Sequence, residues 1–404
     1  MINLETPKKF RPLVSQAHQV AVEVFRPISR KYDLAEHEYP KELDMLASVI
    51  DGVNAGSGID GAGAAGVRRD SSSNGDGANR NGSNLSTVLS VMELCWGDVG
   101  LLLTMPRQGL GNSAIASVAN EEQLARFDGR WAAMAITEPE AGSDSAAIRT
   151  TAVLDGDEYV LNGEKIYVTS GERADLVVVW ATLDRSQGRA AIKSFVVERD
   201  NPGLKLDRLE HKLGIRASDT AAFRLEDCRV PKDDMLGSPD INVKQGFAGA
   251  MQTFDNTRPL VAAMAVGLTR ACLEEAHAQL ERAGVHIDHT APALTQHAAA
   301  ARLQEMEADY ESARLLTLQA AWMADNSKPN SLHASMAKAK AGRTCVNVAL
   351  GCVELCGSVG YSESGLLEKW ARDAKILDIF EGTQQIQLLI VARQLLGKTS
   401  ADLH

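Results

Sequence analysis

The amino-acid sequence predicts a mainly α protein with a central β-domain. Near both ends apolar side chains recur at spacings of three and four, the period of a helix; between about 131 and 240 they alternate or run unbroken between turn residues, as strands do. Length agrees, because 404 residues exceed one ordinary core and suit two or three packed units. The expected divisions are an N-terminal helical domain over 1–130, a middle β-domain over 131–242 and a C-terminal helical bundle over 243–404.

In the first division, Leu85, Val88, Leu89, Val91, Met92 and Leu94 recur at spacings of three and four, the period of a helix. The stretch 51–84 interrupts the pattern. Its Gly-, Ser- and Asn-rich composition has too little apolar content to offset ordering entropy, so it reads as a flexible surface loop. Inside it Gly61-Ala-Gly63-Ala-Ala-Gly66 fits a dinucleotide-binding expression, but no strand precedes it and no helix follows, so it reads as part of the loop.

In the second division, Glu158–Leu161 and Glu164–Thr169 read as a hairpin around Asn162-Gly163, since Asn-Gly supplies the positive φ angles of a type I′ turn. Leu176–Ala181, Ile192–Val197 and Thr220–Leu225 are further strands, with Asn201-Pro202-Gly203 as a turn. In the third, helices are expected over Met251–Glu281, Leu294–Asp325, Leu332–Val353, Leu366–Ile376 and Gln384–Leu396, with Thr383 as the N-cap of the last. Long helices without intervening strands imply a bundle.

Charge narrows the function. With 42 basic and 53 acidic residues the net charge is −11, which disfavours general affinity for nucleic acid or anionic membranes. No run of about 18 apolar residues occurs, and Met1–Lys9 lacks the apolar core of a signal peptide, so a cytoplasmic protein is expected. Six scattered cysteines read as reduced and mostly buried; Cys352 and Cys356 share a helix face but lack the further ligands zinc needs. His286-Ile-Asp288-His289 reads as a solvated loop, and no metal site is expected. Neither a nucleophile elbow nor a Walker loop is present.

Three segments hold candidate chemistry. Met134-Ala135-Ile136-Thr137-Glu138-Pro139-Glu140-Ala141-Gly142-Ser143-Asp144 gathers hydroxyls and small residues around a turn. Phe254-Asp255-Asn256-Thr257-Arg258-Pro259 places a charged patch at the head of an apolar helix. Asp378-Ile379-Phe380-Glu381-Gly382-Thr383-Gln384-Gln385-Ile386-Gln387 puts a carboxylate between Phe and Gly just before a helix. Each alone also reads as an ordinary loop, cap or helix start.

Together, and in this order, they resemble the acyl-CoA dehydrogenase family, most sharply at 134–144, 159–171, 208–231, 254–267 and 370–397. The resemblance implies an acyl-CoA dehydrogenase-like fold, with a β-barrel-like middle domain and a C-terminal four-helix bundle, and FAD as cofactor. It implies that Met134, Ala135, Ile136, Thr137, Gly142, Ser143, Tyr167, Val168, Thr169, Thr383 and Gln385 contact FAD. Tyr167 stands where many relatives have Trp. By the same resemblance Ser143, Asp255, Arg258, Gly382 and Arg393 bind the substrate, and Glu381 takes the α-proton of an acyl thioester. The implied product is a trans-2-enoyl-CoA and the implied electron acceptor is electron transfer flavoprotein. Some relatives carry the base on the helix that here holds Asp255 to Arg258, where this chain has Thr257.

Two departures concern groups the family lends to a neighbouring subunit's FAD. An Arg-x-x-Phe-Gly is replaced by Glu281-Arg282-Ala283-Gly284-Val285, and a Gln-x-x-Gly-Gly by Glu354-Leu355-Cys356-Gly357-Ser358. These point either to a heterotetramer with a homologous chain, as in some actinobacterial-type members, or to a homo-oligomer with contacts rewired through Arg282. A flavin oxidase on the same fold and a non-catalytic subunit of a heteromeric enzyme are the competing readings. Glu381 argues against both.

Overall fold

The computed structural model describes residues 6–47, 82–106, 110–241 and 248–398, with side chains in the last segment from 257 onward. Helices α1 (Arg11–Val20) and α2 (Arg26–Leu34) are joined by a π-helical turn at Ala21–Phe25, and α3 (Ser83–Gly97), α4 (Val99–Thr104), α5 (Leu110–Val118) and α6 (Glu121–Phe127) complete the N-terminal layer. Their ends are set locally. Asp98 caps α4 through the Leu101 N–H at 2.8 Å, and Asn120 and Gln123 form a reciprocal capping box on α6.

Strands β1 (Ala132–Ala135), β2 (Thr151–Asp155), β3 (Glu158–Thr169), β4 (Leu176–Thr182), β5 (Ile192–Glu198), β6 (Leu204–Leu209), β7 (Thr220–Pro231) and β8 (Met235–Leu236) form one mixed sheet. Its order is β6-β7-β3-β2-β4-β5-β8, with β1 parallel to β4. β4 is apolar from Leu176 to Ala181 because both its faces are buried. Leu176, Val178 and Trp180 face α5 and α6, while Val177, Val179 and Ala181 face a core shared with Tyr159, Leu161 and Phe223 of β3 and β7. The sheet therefore curls upon itself, and Tyr159 meets Phe195 edge-on with ring centroids 5.1 Å apart.

Helices α7 (Ala248–Arg282), α8 (Ala298–Asp325), α9 (Ser331–Tyr361) and α10 (Leu367–Leu377) make the C-terminal bundle, with α11 (Gln384–Leu395) against α9 and α3 docked on α7 and α8. α9 is long and apolar enough to cross a membrane, but here it is the central helix, packed on α7, α8, α10 and α11. Close approach depends on small residues. A Cβ at Gly267 would lie 2.2 Å from the Met92 carbonyl, so any side chain there would force α3 away from α7.

The structure corrects several expectations. Asn162-Gly163 does not turn the chain: β3 runs unbroken through it, paired with β2 on one side and β7 on the other. Gly163 serves a close approach, since a Cβ there would meet Thr150 Oγ1 at 2.5 Å, and the reversal falls instead at Gly156-Asp157 between β2 and β3. β7 extends six residues beyond the expected Leu225, to Pro231. α8 begins at Ala298 after a 3-10 turn at Ala293–Thr295, and α9 continues to Tyr361 across a kink at Gly357, where φ is 55° and ψ −130°. Residues 51–81 of the expected loop, with its glycine motif, lie outside the described residues; Gly82 precedes α3 as its N-cap, and Ser83 and Asn84 already belong to the helix. That helix is capped from afar, the Asp325 carboxylate accepting from the N–H groups of Asn84 at 2.9 Å and Leu85 at 3.1 Å.

One buried ionic group joins all three layers. The Lys369 ammonium of α10 donates to Asp98 at 2.7 Å and to Asp373 at 2.6 Å. Ser29 of α2 donates to the same Asp98 oxygen, and the Ile215 N–H of the β-domain donates to Asp373 at 2.5 Å. Burial works against the Lys369 charge, but the two carboxylates hold its pKa above the ordinary lysine value. Beside it, the Arg26 guanidinium lies between the rings of Trp96 and Trp370, at 3.8 and 4.4 Å from their centroids. Lys369→Met leaves two buried carboxylates without their cation and is expected to cost roughly 3–5 kcal/mol. The loss is read as a fall in the thermal unfolding midpoint, and an unmoved midpoint would deny the network this role.

Candidate active site

Glu381 sits on the turn between α10 and α11. The N–H groups of Ile379 and Phe380 both return to the Ile376 carbonyl, at 2.9 and 3.0 Å, tightening the helix end before the chain reverses. The reversal places Glu381 at φ 55° and Gly382 at φ 92°. For a residue with a Cβ the left-handed region costs about 1–2 kcal/mol, so the neighbours must hold it. Buried Gln387 donates to the carbonyls of Glu381 at 3.2 Å and Gly382 at 3.3 Å, and Lys338 of α9 donates to the Gly382 carbonyl at 2.7 Å. Thr383 caps α11 through the Ile386 N–H at 3.4 Å, as its position implied.

The carboxylate points back toward α7. Glu381 Oε2 accepts from the Thr257 hydroxyl at 2.8 Å. Burial raises its pKa above the usual glutamate value, and the Thr257 hydrogen bond with the charges of Arg258 and Lys338 pulls it part of the way back. Arg258 is 3 % exposed, with its guanidinium beside Ser335 of α9. Lys338 is wholly buried; burial lowers its pKa to about 8, against the pull of Asp378 and Glu381. Phe380 packs on the bundle core. The group is a half-buried carboxyl, held in a fixed orientation and biased toward proton uptake.

The second set of predicted residues lies on the β-domain. Met134 and Ala135 end β1, and Ile136 and Thr137 follow, with the Ile166 N–H on the Thr137 carbonyl at 2.9 Å. β3 bulges between Lys165 and Val168, and Tyr167, at φ 57°, turns its ring outward to 61 % exposure. The Val168 side chain is buried in the β core, so its backbone is what it offers at this edge. Thr169 is half-buried, and Gly142 and Ser143 are exposed. Glu138, within the Thr-Glu-Pro motif, is buried and paired to the buried Lys165 ammonium at 2.7 Å. It also accepts from Thr150 Oγ1 at 2.5 Å and from the Arg149 and Thr150 N–H groups at 2.5 and 3.0 Å. This pair fastens the end of β1 to β3, fixing where Thr137 and Tyr167 stand.

The remaining predicted positions lie on α7, α9 and α11. Arg282 ends α7 exposed, and Glu354, Gly357 and Ser358 are exposed on α9 around its kink. On α11, Gln385 is exposed and Arg393 half-buried. The Asp255 side chain lies outside the described residues. Sequence reasoning missed Lys338, although a signal exists: Ala334, Lys338, Ala341 and Cys345 follow the helical spacing of four, three and four along one buried stripe, and a lone charge there demands a partner.

The chain thus carries an oriented carboxyl of raised pKa on its bundle and a ledge of hydroxyls and an aromatic ring on its sheet. Comparison with known proteins narrows the class. The profile of the acyl-CoA dehydrogenase C-terminal domain matches residues 244–396, and that of the middle domain matches 133–228. The short-chain specific acyl-CoA dehydrogenase, mitochondrial, of Bos taurus is 33 % identical over 401 residues, 98 % of this chain and 92 % of that protein. The butyryl-CoA dehydrogenase of Megasphaera elsdenii superposes with a TM-score of 0.81 at 29 % identity, covering 98 % of this chain and 100 % of that one. A structure described as the electron transferring flavoprotein of Acidaminococcus fermentans gives 0.82 at 31 %, with the same coverage. The chain belongs to the acyl-CoA dehydrogenase family, whose members are FAD-dependent oxidoreductases.

The β-domain residues fit a flavin. Exposed Ser143, half-buried Thr137 and Thr169 and the outward Tyr167 ring offer hydrogen-bonding groups and a flat apolar surface, and a Cβ at Gly142 would meet nothing within 4 Å, leaving room at the ledge.

The Thr257 hydrogen bond favours the charged form of Glu381, so Thr257→Val is expected to raise its pKa further. Turnover that needs the carboxylate is lost as pH falls through that pKa, so the acid limb of the kcat/KM profile should move up. Hydrogen bonds to charged groups are worth about 1.5–3 kcal/mol, which is roughly one to two pH units. Thr257→Ser should restore the limb; a limb indifferent to both changes would disprove the coupling.

Proposed function

We propose that the chain catalyses α,β-dehydrogenation of an acyl-CoA thioester to the trans-2-enoyl-CoA, with Glu381 as the base that removes the α-proton. The observation that carries this reading is the Glu381 carboxyl, raised in pKa by burial and oriented by Thr257 on a turn that three side chains restrain. A base whose pKa is lifted toward working pH transfers protons most effectively. As the α-proton passes to Glu381 the β-carbon gives up a hydride and the double bond forms. FAD supplies the two-electron acceptor for that hydride.

Met134, Ala135, Ile136, Thr137, Gly142, Ser143, Tyr167, the Val168 backbone and Thr169 would hold the flavin end of the cofactor, with Thr383 and Gln385 at the head of α11. Arg258, Asp255, Gly382 and Arg393 would receive the acyl-CoA, whose phosphates suit a permanent, forked cation. The relatives named for short-chain and butyryl substrates make a short acyl group the first to test. The Acidaminococcus relative, described as an electron transferring flavoprotein, supports such a flavoprotein as electron acceptor.

Anaerobic addition of butyryl-CoA should bleach the flavin absorbance of the wild type. Glu381→Gln should keep the yellow cofactor and slow bleaching by about 10²–10⁴-fold, the usual contribution of a general base. Unchanged bleaching in that variant would remove Glu381 from the role. Rapid reoxidation of the bleached wild type by air would favour an oxidase instead.

We further propose that FAD binding is completed by a homologous chain in a heterotetramer. Exposed Glu354 stands where the family lends a Gln to a neighbour's cofactor, and a carboxylate repels a pyrophosphate. Purified alone, the chain should carry less than one FAD per subunit, with occupancy restored by co-expression with the partner. Full occupancy and turnover as a homo-oligomer, rewired through Arg282, would overturn this.

A further inference from the structure

From the cluster of Glu36, His37 and His211 we infer a binding site for a borderline divalent cation, such as Zn²⁺, at the junction of the N-terminal helices and the β-domain. One ligand atom from each of these side chains lies within 4.8 Å of the others. His211 Nδ1 is 2.9 Å from Glu36 Oε2, and the two imidazoles meet edge to face with centroids 4.8 Å apart. Ligand atoms around tetrahedral zinc stand roughly 3.3 Å apart, given bonds of about 2.0–2.1 Å. The cluster therefore needs only a side-chain adjustment, which His211, 82 % exposed, is free to make.

Two further observations point to a ligand. Both ring nitrogens of His37 are buried without a hydrogen-bond partner among the described residues, and such orphaned polar atoms call for a ligand, water or ion. His37 also stands at φ 73° beyond the end of α2, in a turn closed by the Glu38 N–H on the Ala35 carbonyl at 2.9 Å. This left-handed backbone, costly for a residue with a Cβ, sets its ring against His211.

The second ring of groups suits a metal. Glu36 Oε1 accepts from the Lys212 N–H at 2.9 Å, which fixes the carboxylate and leaves Oε2 toward the histidines. The Lys212 ammonium is turned onto the Ser218 carbonyl at 2.8 Å. On binding, the metal takes the place of the proton between His211 Nδ1 and Glu36 Oε2, and the neutral imidazole changes tautomer, carrying that proton on its solvent-facing Nε2. Two imidazoles and one carboxylate favour Zn²⁺, Ni²⁺ or Co²⁺ over the oxygen-seeking Mg²⁺ and Ca²⁺. Three protein ligands leave a fourth position for water, and the bound ion would clamp the end of α2 to the 210–219 segment.

The FAD-loaded protein, freed of metal by chelator and dialysis, is titrated with ZnCl₂ and separately with MgCl₂, by calorimetry and by thermal unfolding. One Zn²⁺ per chain should bind and raise the unfolding midpoint, with no response to Mg²⁺. His37→Ala/His211→Ala should abolish both effects. His211→Ala alone, at an exposed position, should weaken binding by at least the roughly 10–100-fold that loss of a supporting group costs. Absence of saturable Zn²⁺ binding, or undiminished binding in the variants, would overturn the site.

Discussion

The Lys369 ammonium between Asp98 and Asp373 is the constraint on which the remainder depends. Burying three charges is unfavourable unless each is satisfied, and here the satisfying groups come from every layer: Ser29 from α2, Leu101 from α4 and Ile215 from the β-domain. None of these layers can shift without exposing a partner of the ammonium. Because Asp373 and Lys369 both belong to α10, the network also fixes the helix whose end becomes the Glu381 turn.

The turn itself is a second, smaller balance. Left-handed backbone at Glu381 and Gly382 is unfavourable in isolation, and Gln387, Lys338 and the Thr383 cap hold it from α11 and α9. The same Lys338 that pins the backbone also acts on the carboxylate electrostatically. Lys338 thereby links the geometry of the turn to the acidity of Glu381, and a change there alters both.

Much of this was legible in sequence, and the failures have physical causes. Helix, strand and helix could be read because periodicity reflects which faces are buried, and Thr383 could be read as a cap because capping is local. Asn162-Gly163 misled because glycine there answers a tertiary contact with Thr150 and not a turn, a distinction invisible to local propensity. The Glu138–Lys165 and Lys369 groups escaped notice because their partners lie 27 and 271 residues apart in the chain. That Tyr167 stands outward and Val168 inward was not legible either, because the bulge between Lys165 and Val168 shifts the alternation of β3 by one residue. Glu381 was found because the motif around it is contiguous; Lys338, on another helix, belongs to no such motif.

The distant cap on α3 has a consequence for how the chain is made. Asn84 and Leu85 meet the Asp325 carboxylate only after about 240 more residues exist, and at about 5–20 residues per second of synthesis that interval lasts roughly 10–50 s. Until α7 and then α8 follow, the apolar face of α3 that they cover has no permanent partner. The nascent N-terminal portion thus emerges from the ribosome ahead of the surface that will cover it, and its protection in that interval falls to transient burial or to chaperones.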